Sequence, residues 1–353
     1  MVDSEPKLAA FLEVLRPAKW VALDTEADSL HAYPEKVCLI QISSSTAGDV
    51  LLDPLAGLDL GPLAQALSVH ELIMHGADYD LRLLRRHHEF VPRAIFDTML
   101  AARLLGLRQF SLSHLVETVL GVKLEKGAQK ANWARRPLTE KMERYARNDT
   151  HYLKPLADHL NTQLSAKGRL GWHQESCQRL IVESTRQQAP DLETLWRVKG
   201  SSRLGRAALA VLRELWQWRE SEALAANKPP FFVLSHDLLV DIAAAAATAR
   251  PVEPLLPRHL SERRRAGVAK AVALGVGVPP ESHPNLLRFV GRRPTEGERR
   301  RYAELQKRRD ARALELEIDP TLIASRGVLS DLANDWEKHQ AQLMNWQRQL
   351  LQA

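Results

Sequence analysis

The sequence predicts an α/β domain with a mixed β-sheet flanked by helices, followed by an all-α region. Strand-like apolar runs occur only in the first third of the 353 residues. Three of these runs follow one another without a helical pattern between them, and two later runs alternate with helical patterns. After Trp172 the strand signals almost disappear, and Ala, Leu, Glu and Arg dominate. Such an order is typical of a mixed sheet with helices on its faces.

The first half of the chain contains the predicted strands and the helices that pack on them. The strand signals cover residues 20–26, 37–43, 49–54, 71–75 and 94–97. The helical signals cover residues 6–15, 62–67, 78–88, 98–105, 111–121 and 139–163. Because only loops separate the first three strands, we expect them to pair as an antiparallel meander.

Length and composition are those of a globular protein of two or three domains, with 45% hydrophobic and 26% charged residues. Cys38 and Cys177 lie far apart and form neither a metal-binding nor a redox spacing. The sequence shows no signal-peptide pattern and no apolar run of the roughly 18–20 residues that a membrane span needs. We therefore expect a cytoplasmic protein without a membrane partner, and no protein partner is evident.

Positive charge is concentrated between Arg258 and Arg312. This segment contains 15 Lys and Arg against 6 Asp and Glu, so the rest of the chain sums to −3 of the total +6. Such a segment suits a polyanionic partner, because neutralising phosphate groups releases counterions. The alternative is a set of solvated helical faces, which charge runs commonly form.

Asp24 and Glu26 are two carboxylates at the end of the first predicted strand. Alternation along a strand places both on the same face, roughly 6–7 Å apart. Like charges on a buried face need protons or a cation, and carboxylate oxygens suit Mg²⁺ or Mn²⁺. The alternative is a strand that ends at Leu23, with both acids hydrated in a loop.

Asp149 interrupts an apolar seam in the last predicted helix of this half. The other members of the seam are Met142, Ala146, Leu153, Leu156 and Leu160. Tyr145 precedes Asp149 by one helical turn on the same side. A charged residue at a seam position indicates a functional site, or else a salt bridge or a slightly rotated seam.

Asp78 and Asp80 are a third source of carboxylates, at a predicted strand-to-helix junction. The helix dipole favours acids in a first turn, and Asp78 is a natural N-cap. Asp80 lies further into the helix and could face the strand ends. Spacing alone does not choose between the two.

Three short motifs resemble those of the ribonuclease D family of DEDDy 3′–5′ exonucleases. They are Asp24-Thr25-Glu26, His75 followed five residues later by Asp80, and Tyr145 followed four residues later by Asp149. The flanking segments 96–98 and 133–139 match as well, and the likeness covers about the first 165 residues. The motif that begins at His75 favours Asp80 over Asp78.

The resemblance implies a ribonuclease H-like fold and a two-metal exonuclease site. It implies that Asp24, Glu26, Asp80 and Asp149 hold two divalent ions, Mg²⁺ or Mn²⁺, and that Tyr145 orients the attacking water. The implied reaction releases 5′-mononucleotides from a free RNA 3′ end, as in tRNA 3′ processing, with tRNA precursors or other structured RNA as partners. The alternatives are the same chemistry on DNA, or a non-catalytic RNA-binding scaffold.

The helical region resembles HRDC (helicase and RNase D C-terminal) domains, in particular through residues 218–239. Residues 318–326 repeat the loop and capped helix of residues 232–239, which predicts a diverged second copy. The predicted parts are an exonuclease domain (1–170), an HRDC domain with a preceding linker helix (171–268) and a second, diverged HRDC-like helical domain (280–353).

We predict structural roles for the aromatic residues of the helical region and RNA-binding roles for some of its basic residues. Trp196, Trp216 and Trp218 are predicted to lie in a core rather than to stack on bases. With an exonuclease in view, the basic segment is predicted to bind the RNA backbone without reading its sequence. The residues chosen for that contact are Arg263, Arg264, Arg292, Arg293 and Arg300.

Overall fold

The computed structural model describes residues 1–125, 127–186, 191–287 and 293–352. These residues form two compact units. The first contains residues 1–27, 36–186 and the described residues from 293 onward, and the second contains residues 28–35 and 191–287. Among the described residues, no helix combines the length and the apolar character that a membrane crossing requires.

The first unit is built on a mixed five-stranded sheet in the order β3-β2-β1-β4-β5. The strands are β1 (Val21–Ala27), β2 (Val37–Ser44), β3 (Gly48–Leu52), β4 (Glu71–Met74) and β5 (Ala94–Asp97). The first three pair antiparallel, whereas β4 lies parallel to β1 and to β5. The predicted meander and mixed sheet are therefore confirmed.

Helices cover both faces of this sheet. They are α1 (Glu5–Leu15), α2 (Gly61–Leu67), α3 (Asp78–His88), α4 (Thr98–Leu104), α5 (Leu112–Leu120), α6 (Glu140–His151), α7 (Leu153–Ala166) and α8 (Leu170–Thr185). Alternate strand residues enter opposite cores: Leu23 and Leu72 pack with α1–α3, whereas Ala22 and Ile73 pack with α4, α5 and α7. Burial of both faces explains why these strands are almost wholly apolar.

The single helix predicted over residues 139–163 is wrong. The chain forms α6 and α7 instead, and Tyr152 between them departs from helical geometry at φ −92° and ψ −1°. Pro155 explains the break, because proline lacks the N–H and its ring clashes with the carbonyl four residues back in a continuous helix. The break places Pro155 in the first turn of α7, where it is tolerated.

The second unit is helical. Its helices are α9 (Arg206–Ala226), α10 (Pro230–Val233), α11 (His236–Ala246) and α12 (Glu262–Val276). Trp196 is buried in their shared core, as predicted, and Trp216 and Trp218 are partly buried against it. Gly275 allows close approach of α12 to α9, since a Cβ there would lie 2.4 Å from the Val211 Cα.

The C-terminal helices repeat the start of the second unit. They are α13 (Glu296–Leu316), α14 (Pro320–Ile323), α15 (Arg326–Asn334), α16 (Trp336–His339) and α17 (Asn345–Gln352). Helices α13, α14 and α15 each begin 90 residues after α9, α10 and α11. In both sets a buried arginine donates to a carbonyl oxygen at the elbow before the third helix: Arg219 to Leu234 and Arg309 to Ala324.

The compact units do not coincide with the three parts predicted from the sequence. Helix α8, which we expected to be a linker helix of the HRDC part, belongs to the first unit. Helices α13–α17, predicted to form a third domain, also belong there and share a core with α4, α5 and α7. The division into three domains stays a prediction.

Candidate active site

Asp24 and Glu26 stand at the end of β1, beyond its pairing with β4. That parallel pairing involves Val21 and Ala22, whereas β1 itself continues to Ala27 along β2. The alternative of a strand that ends before Asp24 is therefore wrong. A cleft of about 500 Å³ opens at this strand end. Its walls include Asp24, Glu26, Asp80, Tyr145 and Asp149.

Helix α6 brings Asp149 and Tyr145 to the cleft. Its first turn is capped by the Thr139 side chain, which accepts a hydrogen bond from the Met142 N–H at 3.2 Å. Met142 and Ala146 are buried against β2 and β3, which turns the opposite side of the helix toward the cleft. The helix is thus fixed at its start and along its buried face.

The apolar seam predicted through Asp149 does not exist as one continuous stripe. Met142 and Ala146 pack in one core, and the apolar residues of α7 pack in another. Asp149 is partly exposed and lines the cleft, so it interrupts no buried stripe. The prediction of a continuous seam is therefore wrong, although Asp149 does line the cleft.

Three carboxylates converge closely enough to share a cation. One oxygen from each of Asp24, Glu26 and Asp149 lies within 4.8 Å of the others. An all-oxygen, carboxylate donor set suits a hard divalent cation such as Mg²⁺ or Mn²⁺. These residues therefore fit a divalent metal site.

Asp80, rather than Asp78, belongs to the cleft. Asp80 is 7% exposed and accepts a hydrogen bond from the Thr25 hydroxyl. Asp78 pairs with Arg82 and accepts a 2.9 Å hydrogen bond from the Ser184 hydroxyl. The structure thus separates two acids that spacing left equivalent.

The pKa values of the cleft acids are raised. Burial raises the pKa of Asp24 well above its usual range, and the neighbouring carboxylates add to the rise. Burial, together with the charges of Asp149 and Asp80, raises the pKa of Glu26 to about 9. Acids that resist ionisation in this way are ready to exchange protons for a cation.

Asp80 and Asp149 each have one neighbour that opposes this rise. Burial raises the pKa of Asp80 to about 6, although the Thr25 hydrogen bond favours the ionised form. Burial raises the pKa of Asp149 to about 7, although a hydrogen bond from Tyr145 favours its ionised form. The two hydroxyl groups therefore limit the rise in pKa that burial causes at these carboxylates.

The Tyr145 hydroxyl is hydrogen-bonded at the cleft, and its pKa is raised. Burial and then the Asp149 charge raise the pKa of its hydroxyl far above the usual range. Gln129 hydrogen-bonds the same hydroxyl, and the ring packs beside Trp133 with centroids 6.1 Å apart. A tyrosine held in this way remains protonated and oriented.

Asp97 belongs to the matching segment 96–98, but its supporting role was not predicted from the sequence. It is fully buried, and its carboxylate accepts hydrogen bonds from the Met99 and Leu100 N–H groups at 2.8 and 3.0 Å. The same carboxylate accepts from the Gly76 and Ala77 N–H groups. It therefore ties the start of α4 to the turn before α3. An aspartate between a predicted strand and a predicted helix is an N-cap signal, and this signal could have predicted the capping role of Asp97.

The predicted RNA-binding arginines lie in both units. In the second unit, Arg263 donates to Glu222 at 2.7 Å, and Arg264 donates to the same carboxylate at 3.4 Å. Their charge is therefore partly neutralised.

The other arginines of the set lie beyond α12. Arg293 and Arg300 belong to the first unit, are exposed, and form no ion pair with another described residue. Arg292 lies outside the described residues. Several neighbouring arginines have structural roles instead, since Arg265 and Arg301 donate to backbone carbonyl groups.

Comparison with known families matches both parts of the chain. A family model described as a 3′–5′ exonuclease matches residues 1–165, and one described as an HRDC domain matches residues 208–249. The Ribonuclease D of Desulfotalea psychrophila is 30% identical over 94% of this chain and 90% of its own length. The Ribonuclease D of Gluconacetobacter diazotrophicus is 30% identical over 99% of this chain and 89% of its own.

Solved structures show the same fold. Escherichia coli RNase D, described as an exoribonuclease involved in structured RNA processing, superposes with a TM-score of 0.75 at 24% identity. That match covers 100% of this chain and 98% of the other. The catalytic core of RRP6 from Trypanosoma brucei gives a TM-score of 0.66 at 27% identity, over 78% of this chain and 77% of the other.

Proposed function

Because the chain belongs to the ribonuclease D family and is a 3′–5′ exoribonuclease, we propose that it processes structured RNA at the cleft described above. One observation carries the proposal: carboxylates from β1, α3 and α6 meet in a single cleft beside Tyr145. The proposed reaction is hydrolysis of the last phosphodiester bond, with release of a 5′-mononucleotide. The proposed compartment is the cytoplasm.

Asp24, Glu26, Asp80 and Asp149 are the proposed ligands of two divalent ions, Mg²⁺ or Mn²⁺. Such ions, when bound, lower the pKa of a bound water and offset charge at the reacting phosphate. The raised pKa values of Asp24, Glu26 and Asp149 support this role, because a cation would replace protons that these acids retain in the metal-free cleft. Thr25 would hold Asp80 in its ionised form.

Tyr145 is the proposed orienting group for the attacking water. Its hydroxyl donates to Asp149 and is hydrogen-bonded by Gln129. A phenol with a raised pKa does not take up a proton from water at neutral pH, so its contribution is positional.

The proposed substrate is a tRNA precursor or another structured RNA with a free 3′ end. The description of the E. coli protein as a structured-RNA exoribonuclease supports this substrate class. Phosphate contacts by Arg263, Arg264, Arg292, Arg293 and Arg300 would hold the strand without reading its sequence.

We also propose that α13–α17 are a diverged copy of the HRDC domain. The 90-residue offset of three successive helices supports the copy, as does the matching pair Arg219 and Arg309. Ser235 and Ser325 cap the third helix in each set, by accepting from the N–H three residues on.

An electrophoretic time course on end-labelled oligonucleotides tests the proposed function. One RNA carries a free 3′ hydroxyl, a second has a blocked 3′ end, and a DNA of the same sequence is the third substrate. We expect stepwise shortening of the unblocked RNA that needs Mg²⁺ or Mn²⁺ and yields 5′-mononucleotides. Faster digestion of the DNA, or equal digestion of the blocked RNA, would overturn the proposal.

A further inference from the structure

Gln41 is a buried amide in the middle of β2, beside the cleft acids. It pairs with Asp24 in the antiparallel ladder. Side chains of directly opposed residues lie on the same face of a sheet, with Cβ atoms roughly 4.5–5.5 Å apart. Gln41 is 0% exposed, and neither its amide nitrogen nor its amide oxygen has a hydrogen-bond partner among the described residues.

The neighbours of Gln41 on this face hold α6 on the sheet. Two residues before it, Leu39 is fully buried in the same core as Ala146. Two residues after it, the Ser43 hydroxyl is hydrogen-bonded to the Thr150 hydroxyl at 2.7 Å. Gln41 therefore lies between these contacts, next to the part of α6 that carries the cleft aspartate.

An amide without partners is costly at this position. A buried polar group without partners has lost its hydrogen bonds to water and gained none in return, and an apolar side chain of similar length would avoid that cost. Packing alone would favour methionine or leucine beside Leu39. The amide does, however, supply two N–H donors without adding charge to a cleft that already holds four carboxylates.

We propose that Gln41 is a positioning residue that donates an amide N–H to the Asp24 carboxylate once the cleft holds divalent ions. The inference rests on the proposed metal site. A carboxylate that binds a cation keeps further lone pairs, and hydrogen bonds to these fix its orientation. Gln41 acts through Asp24 and does not touch RNA.

The substitution Gln41→Met tests this role in the full-length chain, with Gln41→Leu as a second variant. EDTA first removes bound metal from each protein. Three quantities are then measured: the Mn²⁺ affinity by calorimetry, the melting temperature without metal, and kcat and KM for RNA after Mn²⁺ is added back. The control is Ser43→Ala, which removes hydrogen bonds to Thr150 of α6 and to Asp49 of β3 from the same face of β2, without altering the cleft lining.

We expect Gln41→Met to bind Mn²⁺ about tenfold more weakly, the lower range for lost outer hydrogen bonds to a metal ligand. Its kcat should fall by a similar factor with KM for RNA unchanged, while its metal-free melting temperature rises because an unsatisfied amide is gone. Ser43→Ala should instead have a lower metal-free melting temperature and an unchanged Mn²⁺ affinity.

A spectroscopic measurement on the wild-type protein complements the variants. The ¹⁵N side-chain amide resonance of Gln41, assigned by its absence in either variant, should shift when Mg²⁺ is added. Equal Mn²⁺ affinities of wild type and Gln41→Met, or an unmoved resonance, would overturn the inference. Wild-type protein that binds no Mn²⁺ would overturn the proposed metal site, and this inference with it.

Discussion

Thr25 donates its hydroxyl hydrogen to the Asp80 carboxylate and thereby joins β1 to α3 at the candidate active site. The two residues are 55 positions apart in the sequence. Thr25 lies between Asp24 and Glu26, so one tripeptide supplies two cleft acids and the donor for a third. Through this contact, Thr25 positions Asp80 at the cleft beside Asp24 and Glu26.

Thr25→Val should therefore alter the pH dependence of the reaction. Valine keeps the shape of threonine but removes the donor that favours ionised Asp80, so the pKa of Asp80 should rise further. We expect the acid limb of the kcat profile to move to higher pH and kcat at pH 7 to fall by about tenfold. Thr118→Val, at an exposed threonine outside the cleft, is the control. A profile that superposes on that of the wild type would remove Thr25 from this role.

The metal-free protein should lose stability as the pH rises. Glu26, Asp149 and Asp80 have raised pKa values of about 9, 7 and 6 in the folded protein. The folded state then holds more protons than the unfolded state between about pH 4 and 9, so the free energy of unfolding falls across that range.

Thermal unfolding in EDTA measures this effect. We expect the melting temperature in EDTA to fall by roughly 5 °C between pH 6 and 8.5. Addition of Mg²⁺ should raise the melting temperature more at pH 8.5 than at pH 6. Glu26→Gln should make the EDTA curve flatter, because it removes the group with the highest of these pKa values. A melting temperature in EDTA that rises with pH, or a stabilisation by Mg²⁺ that shrinks with pH, would contradict the expectation.

Tyr145→Phe should separate orientation from metal binding. The ring keeps its place beside Trp133, but the hydroxyl that reaches Asp149 is lost. We expect kcat to fall by about 100-fold, well beyond the roughly tenfold loss of Mn²⁺ affinity that removal of one hydrogen bond to a metal-binding carboxylate causes. Tyr152→Phe, outside the cleft, should leave both unchanged. An unchanged kcat in Tyr145→Phe would exclude an orienting role for its hydroxyl.

Exposed arginines should govern the salt dependence of RNA binding. We plot the logarithm of the RNA-binding constant against the logarithm of the salt concentration. The double substitution Arg293→Gln and Arg300→Gln should make the slope of this plot shallower by about 1.4, because each phosphate contact to a single strand contributes roughly 0.7 to the slope. Arg263→Gln should have a smaller effect, because Glu222 already neutralises part of that charge. Filter binding at four salt concentrations provides the slopes, and Arg179→Gln on α8 serves as the control. Identical slopes for the double variant and the control would exclude these phosphate contacts.

Strand alternation was enough to place Asp24 and Glu26 correctly. Their face is decided by local geometry, because residues two apart in a strand always share a side. The fold class followed for a similar reason, since the order of apolar runs determines which strands can pair. Motif order added Asp80, which spacing alone had left open beside Asp78.

The partners of the site could not be predicted in the same way. Thr25 meets Asp80, and Gln41 lies opposite Asp24, only because the strand register and the crossing of α3 bring distant segments together. The error at residues 139–163 had a local cause: Pro155 carries a helix-breaking signal that the apolar spacing concealed.

The rate of RNA hydrolysis by Asp24→Asn tests the central claim most directly. Asparagine keeps the size of aspartate but removes the charge that a divalent ion requires. We predict a loss of at least 1,000-fold in kcat at saturating Mg²⁺, on the order of what a lost catalytic group costs, with RNA affinity within threefold of wild type. Hydrolysis at the wild-type rate would show that Asp24 does not belong to the active site.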